Sequence, residues 1–167
     1  MDSRRTPLIG FPDVVDEISA RMVAGGVVLL SLTVLVTGQW WGSAVIAAGF
    51  VARVLTGPRL SPLGLLVTRV IRPLVGIAAR PTPGPPKRFA QGIGATLSLL
   101  AVAAWLLGAT GVTAVALSMI VVAATLESVF GFCLGCVMFR SLMQVGVIPE
   151  SVCEDCADIS RRLGAPV

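Results

Sequence analysis

All four cysteines of the chain fall inside one stretch, GFCLGCVMFRSLMQVGVIPESVCEDC, residues 131 to 156. They form two Cys-x-x-Cys pairs, Cys133 with Cys136 and Cys153 with Cys156, separated by sixteen residues. Three chemistries suit that pattern. The spacing falls within the range of four-cysteine zinc sites, where thiolates hold the metal tetrahedrally. Two dithiol pairs also suit disulfide exchange or relay of sulfur as a persulfide, because a thiolate on one pair can attack a disulfide on the other. The third reading is packing, since a free cysteine behaves as a small apolar side chain. Packing fits Cys133 and Cys136 at the end of an apolar run. It does not fit Cys153 and Cys156, which stand among Glu150, Glu154 and Asp155.

Local electrostatics favour neither pair strongly. The apolar run from Val112 to Phe139 reads as one helix, so Cys133 and Cys136 are expected near its C-terminal end, where the dipole opposes a thiolate. Arg140 works against that effect. Pro149 is expected to open a short helix that Gly164 closes, with Cys153 in its early turns. The neighbouring acids would hold the Cys153 thiol pKa up.

The elements that position these thiols are membrane helices. Hydrophobic residues make up 55% of the 167-residue chain and charged residues only 13%, against roughly 25% charged in soluble globular proteins. A soluble fold of this length could not bury so much apolar surface. Four stretches are long enough to cross a bilayer core: residues 22–38, 41–57, 92–109 and 112–139. They form an all-α, single-domain membrane protein (residues 1–167) built as two helical hairpins. The first span begins too far from the N-terminus for a signal peptide and reads as retained.

A loop, 58–91, joins the hairpins. Leu63, Leu66, Val67, Val70, Ile71, Leu74 and Val75 recur at helical spacing and predict an amphipathic helix lying in the interface, kinked at Pro73. PTPGPPKRF, 81–89, reads as a stiff linker without regular structure.

All thirteen Lys and Arg residues lie in, or next to, segments that an even-span topology places on one side, and the two short hairpin links contain none. The positive-inside rule then places both termini, the loop 58–91 and the tail 140–167 in the cytosol of a bacterial inner membrane. Trp40 and Trp41 suit the opposite interface. Both cysteine pairs would therefore be cytosolic, where thiols stay reduced. Two charges fall within spans, Arg53 and Glu127, at about 18–24 Å from the outer end at 1.5 Å per residue. They are expected to pair and lock the second span to the fourth, a structural role. A site for a proton or a transported anion is the functional alternative.

Several chemistries are excluded. The chain has no His and no Tyr, which removes histidine-ligated metals, Ser–His hydrolysis and histidine acid–base work. Aromatic residues at 5% leave no stacking platform for nucleic acid, so the net charge of +4 reads as membrane orientation.

VARVLTGPRLSPLG, PPKRFAQGIGATLS and LESVFGFCLGCVMF, followed by a second Cys-x-x-Cys, resemble the bacterial domain-of-unknown-function family numbered 4395. The resemblance covers nearly the whole chain, and GFCLGC after Leu126-Glu127 is its most specific element. It implies an integral membrane protein. It also implies a thioredoxin-like or rhodanese-like sulfurtransferase partner, because such proteins are often encoded near family members. No catalytic residue carries over from it. The four-span plan is also similar to quinone-coupled disulfide-forming membrane enzymes, whose cysteines lie on the other face. Together these features predict a membrane thiol-redox or sulfur-relay component using Cys133, Cys136, Cys153 and Cys156, with membrane quinone as one electron partner. The alternatives are a scaffold holding a structural zinc on the same four thiols, and a transporter of a small sulfur compound or anion.

Overall fold

A computed structural model describes residues 12–57, 60–149 and 152–153. Its elements are β1 (Val14–Asp16), α1 (Glu17–Thr37), α2 (Gly42–Thr56), α3 (Pro62–Leu66), a π-helical turn (Val67–Ile71), α4 (Arg72–Val75), β2 (Pro81–Pro83), α5 (Gly84–Leu106), α6 (Thr110–Phe130) and α7 (Leu134–Gln144).

Four of these helices make the body. α1 packs along α6, α2 along α5, and the contacts α5 to α6 and α1 to α2 close the ring. Ser31, Ser43, Ser98 and Thr113 are fully buried where these helices meet. Small residues let helix backbones approach when lipid, rather than water, covers the outside. Val27, Phe50, Ala101, Leu117 and Ile120 fill the centre. Leu29, Val36, Leu99, Leu106, Val115 and Val122 point outward, the inverse of a soluble bundle. α1, α5 and α6 are long and apolar enough to cross a membrane. α2 has 15 residues, about 22 Å of helix, which is short of the roughly 30 Å hydrocarbon core.

The stripe of the loop is helical from Pro62 to Val75, as its periodicity predicts. The π turn precedes Pro73, whose ring and missing amide disturb the regular hydrogen-bond ladder. Val67 faces inward while Leu66, Val70 and Leu74 are exposed.

Two expectations about local structure are corrected. PTPGPPKRF is ordered. Its first three residues pair antiparallel with Val14–Asp16, Val15 opposite Thr82. Gly84 to Phe89 form the opening of α5, whose first turn tolerates proline because its amides have no intrahelical acceptors. The run 112–139 is also not one helix. α6 stops at Phe130, with Gly131 in the left-handed region at φ 69°, and α7 begins afresh at Leu134.

Asp16 ties the N-terminal strand to the loop. Its carboxylate accepts from the Ser19 amide and hydroxyl at 2.9 and 2.6 Å and from the Arg80 amide at 2.9 Å, and it pairs with Arg72. Burial works against its ionisation, but the Ser19 and Arg80 hydrogen bonds and the Arg72 charge win, holding its pKa below the ordinary value.

Candidate functional site

Four residues build the site where α6 gives way to α7. Gly131 terminates α6. Arg21 of α1 donates to the carbonyls of Ser128 and Val129, at 3.2 and 2.8 Å, and so satisfies carbonyls that the helix end leaves open. Cys133 then becomes the N-cap of α7, with extended backbone. Gly135 lets α7 dock on α5, because a Cβ there would stand 2.5 Å from Ala90 Cα. The glycines of GFCLGC are a stop and a seat, and its cysteines lie between and beyond them.

The break between α6 and α7 reverses the expected electrostatics. Cys133 and Cys136 stand at a helix N-terminus, where the dipole favours a thiolate, and not at a C-terminus. The Cys133 sulfur accepts the Cys136 amide hydrogen bond at 3.3 Å. The two sulfurs of these free thiols lie 2.6 Å apart, about half an ångström longer than a covalent S–S bond. The hydrogen bond from the Cys136 thiol lowers the Cys133 pKa, outweighing burial and the Glu127 charge, with help from Lys87. Giving up that proton is correspondingly hard for Cys136, whose pKa is raised by the same bond and by burial. The pair is therefore asymmetric: Cys133 is the thiol that ionises more readily and Cys136 the one that holds its proton.

Beside the thiols, Lys87 of α5 and Glu127 of α6 form an ion pair at 2.6 Å, with side chains only 9% and 13% exposed. Glu127 thus takes Lys87 as its partner, not Arg53. Arg53 is 5% exposed and donates to Gln91 Oε1 at 2.9 Å and Ser61 Oγ at 3.2 Å. Its guanidinium lies 4.5 Å from the centre of the Phe50 ring. Arg53 does lock helices together, but it joins α2 to α5 and to the start of α3. Lys87 is hidden in the sequence because its neighbours are prolines that read as linker. Taking Pro85 and Pro86 as a helix opening places Lys87 on the first turn of α5.

Cys133 lines two cavities. One, of about 410 Å³, is bordered by Glu17, Thr82, Lys87, Cys136 and Arg140. The other, of about 240 Å³, lies among α1, α2, α5, α6 and α7 and is mostly apolar, with Arg53, Gln91 and Glu127 on its wall.

Cys153 stands apart. It is buried with Phe139 and Met143, farther along α7, and is disulfide-bonded. Cys156 and the expected helix from Pro149 to Gly164 lie largely or wholly outside the described residues. Among the described residues no three Cys, Asp or Glu side chains gather as a metal ion requires. Cys133 and Cys136 offer two of the four ligands that the spacing predicts for zinc, and the nearest charge pair includes a cation.

The model of a family described as "Domain of unknown function (DUF4395)" matches residues 15–144. Nothing matches among the curated proteins or the solved structures.

Proposed function

The chain belongs to this domain-of-unknown-function family, and we propose that it is a membrane dithiol–disulfide exchange protein whose reactive pair is Cys133 and Cys136. The observation that carries the reading is the N-cap geometry, with one sulfur at the start of α7, the other one turn on, and 2.6 Å between them. The exchange balances in two steps. The Cys133 thiolate attacks one sulfur of a partner disulfide, forming a mixed disulfide and releasing the partner's other thiolate. Cys136 then loses its proton and attacks the Cys133 sulfur, which closes the Cys133–Cys136 disulfide and releases the second partner thiolate. The partner leaves as a dithiol. The reverse sequence oxidises a reduced partner.

The outer cavity, with Lys87 and Arg140 on its wall, gives a soluble thioredoxin-like or sulfurtransferase partner access to the sulfurs. α2, although shorter than the hydrocarbon core, completes a four-span arrangement of two hairpins with local thinning of the bilayer, and α3 and α4 lie along the interface. The arginine distribution supports an inner-membrane protein with both termini in the cytosol.

Trapping tests the reading. Cys136→Ser removes the resolving thiol, so a mixed disulfide at Cys133 accumulates on mixing with an oxidised thioredoxin-like protein. Cys133→Ser accumulates none. Failure of the Cys136→Ser protein to form any adduct at Cys133 would contradict the proposal.

A further inference from the structure

Cys133 is shared by two cavities, the outer more polar than the inner, and the exchange reaction uses only the outer one. The inner cavity is walled by Leu97, Ile120, Met119 and Met138, with the last two 54% and 51% exposed. Its mouth therefore lies on the apolar outer surface of the bundle, between α6, which is long enough to cross a membrane, and the short α7. Arg53 and Gln91, already hydrogen-bonded to each other, lie on its wall, and so does Glu127. Any molecule that enters there arrives from lipid and meets donors suited to a carbonyl oxygen. It also meets a sulfur that has electrons to give.

We propose that the inner cavity is a binding site for the head group of a membrane quinone, which takes the electrons of the Cys133–Cys136 dithiol. The inference rests on the exchange function proposed above. An apolar molecule that accepts two electrons and two protons and offers carbonyl oxygens is the chemical class that fits. The cavity's volume accommodates a single ring, with an isoprenoid tail running out past Met119 and Met138.

The step balances. The Cys133 thiolate adds to the quinone ring through a new S–C bond. The Cys136 thiolate attacks the Cys133 sulfur, so the S–S bond forms as the S–C bond breaks. The ring keeps the electron pair and takes up two protons as quinol, equal to the two the dithiol has lost. Cys133 then faces the outer cavity as half of a disulfide, ready to oxidise the next soluble dithiol. Electrons thus pass from water to lipid through one sulfur pair.

Anaerobic titration of the reduced, detergent-purified full chain with decyl-ubiquinone tests this. The expected result is one quinol formed per chain, with loss of two alkylatable thiols at Cys133 and Cys136. Ala123→Leu and, separately, Met138→Trp fill the cavity from different helices. Each is expected to slow quinone reduction by about tenfold or more, a loss of at least about 1.4 kcal/mol of binding. Both should still exchange with an aromatic disulfide reagent at the wild-type rate, which also reports that they are folded. If the wild-type chain exchanges with that reagent but never reduces quinone, the quinone site is wrong and the exchange function stands. If quinone reduction survives unchanged in both filled variants, the inner cavity is not the site. If the wild-type thiols react with neither, the exchange function itself falls.

Discussion

Lys87 Nζ lies 2.6 Å from Glu127 Oε1, both nearly buried, and the charge of this pair reaches both sulfurs of the Cys133–Cys136 dithiol. Breaking a buried ion pair by removing one partner strands the other, at a cost of about 3–5 kcal/mol, whereas replacing both with apolar groups is often neutral. Lys87→Met is therefore expected to destabilise the protein by about 3 kcal/mol, and adding Glu127→Leu to restore most of that. Chemical denaturation in detergent measures both. In the single variant Cys133 also loses a neighbouring cation, so its alkylation should need a higher pH.

The same asymmetry sets the pH dependence of labelling. Alkylation proceeds through the thiolate, and the Cys133 pKa lies below the ordinary thiol value while that of Cys136 lies above it. As pH rises from neutral, Cys133 should label first, at lower pH than an ordinary thiol, and Cys136 should follow only at higher pH. Peptide mapping after timed iodoacetamide treatment reads the order, and simultaneous labelling of the two would contradict it.

Much of the bundle was legible in the sequence. Runs of apolar residues broken by Gly38 and Gly108 locate the hairpin links, and the stripe from Leu63 to Val75 locates a helix. The site was legible in its cysteines but not in its geometry. Hydropathy runs unbroken through Phe130, Phe132 and Leu134, so nothing in polarity marks the end of α6. The mark is Gly131 taking a left-handed conformation, which a glycine inside an apolar run does not announce. Once that break is missed, Cys133 falls at the wrong end of a dipole. Depth alone suggests a pair between Arg53 and Glu127, and depth does not reveal that Lys87 and Gln91 reach the same level from α5.

Gly135 makes a sharp test of how the site is seated. A Cβ at this position would meet Ala90 Cα and Cβ, both at 2.5 Å, and backbone cannot yield as a flexible side-chain tip can. Gly135→Ala should push α7 off α5, costing about 1–3 kcal/mol, the usual penalty of overpacking. Gly131→Ala, at φ 69°, should cost about 1–2 kcal/mol through left-handed backbone strain. Both should slow formation of the Cys133–Cys136 disulfide, read by gel shift after thiol capping. Gly92→Ala, with nothing within 4 Å of the added Cβ, serves as the control and should change neither.

Asp16 gives the fold a separate acid sensitivity. Its pKa is depressed on folding, so its contribution is fully present above the unfolded value of about 3.9 and is lost as pH falls through the lower folded value. Asp16→Asn keeps a capping side chain but gives up the ion pair with Arg72, and should flatten the stability profile below about pH 4. Asp16→Ala also removes the cap of α1 and should cost about 1 kcal/mol more. Unfolding midpoints between acid and neutral pH separate the two effects.

The central claim is that Cys133 and Cys136 cycle between dithiol and disulfide. Its most direct test is mass spectrometry of the purified full chain, equilibrated across a series of thiol–disulfide buffers and capped before digestion. The expected result is a Cys133–Cys136 disulfide that forms and opens reversibly, with a single midpoint in the range of dithiol redox proteins. If both residues remain alkylatable under the most oxidising buffer, or if all four thiols stay protected by one tightly held zinc per chain, the claim is wrong.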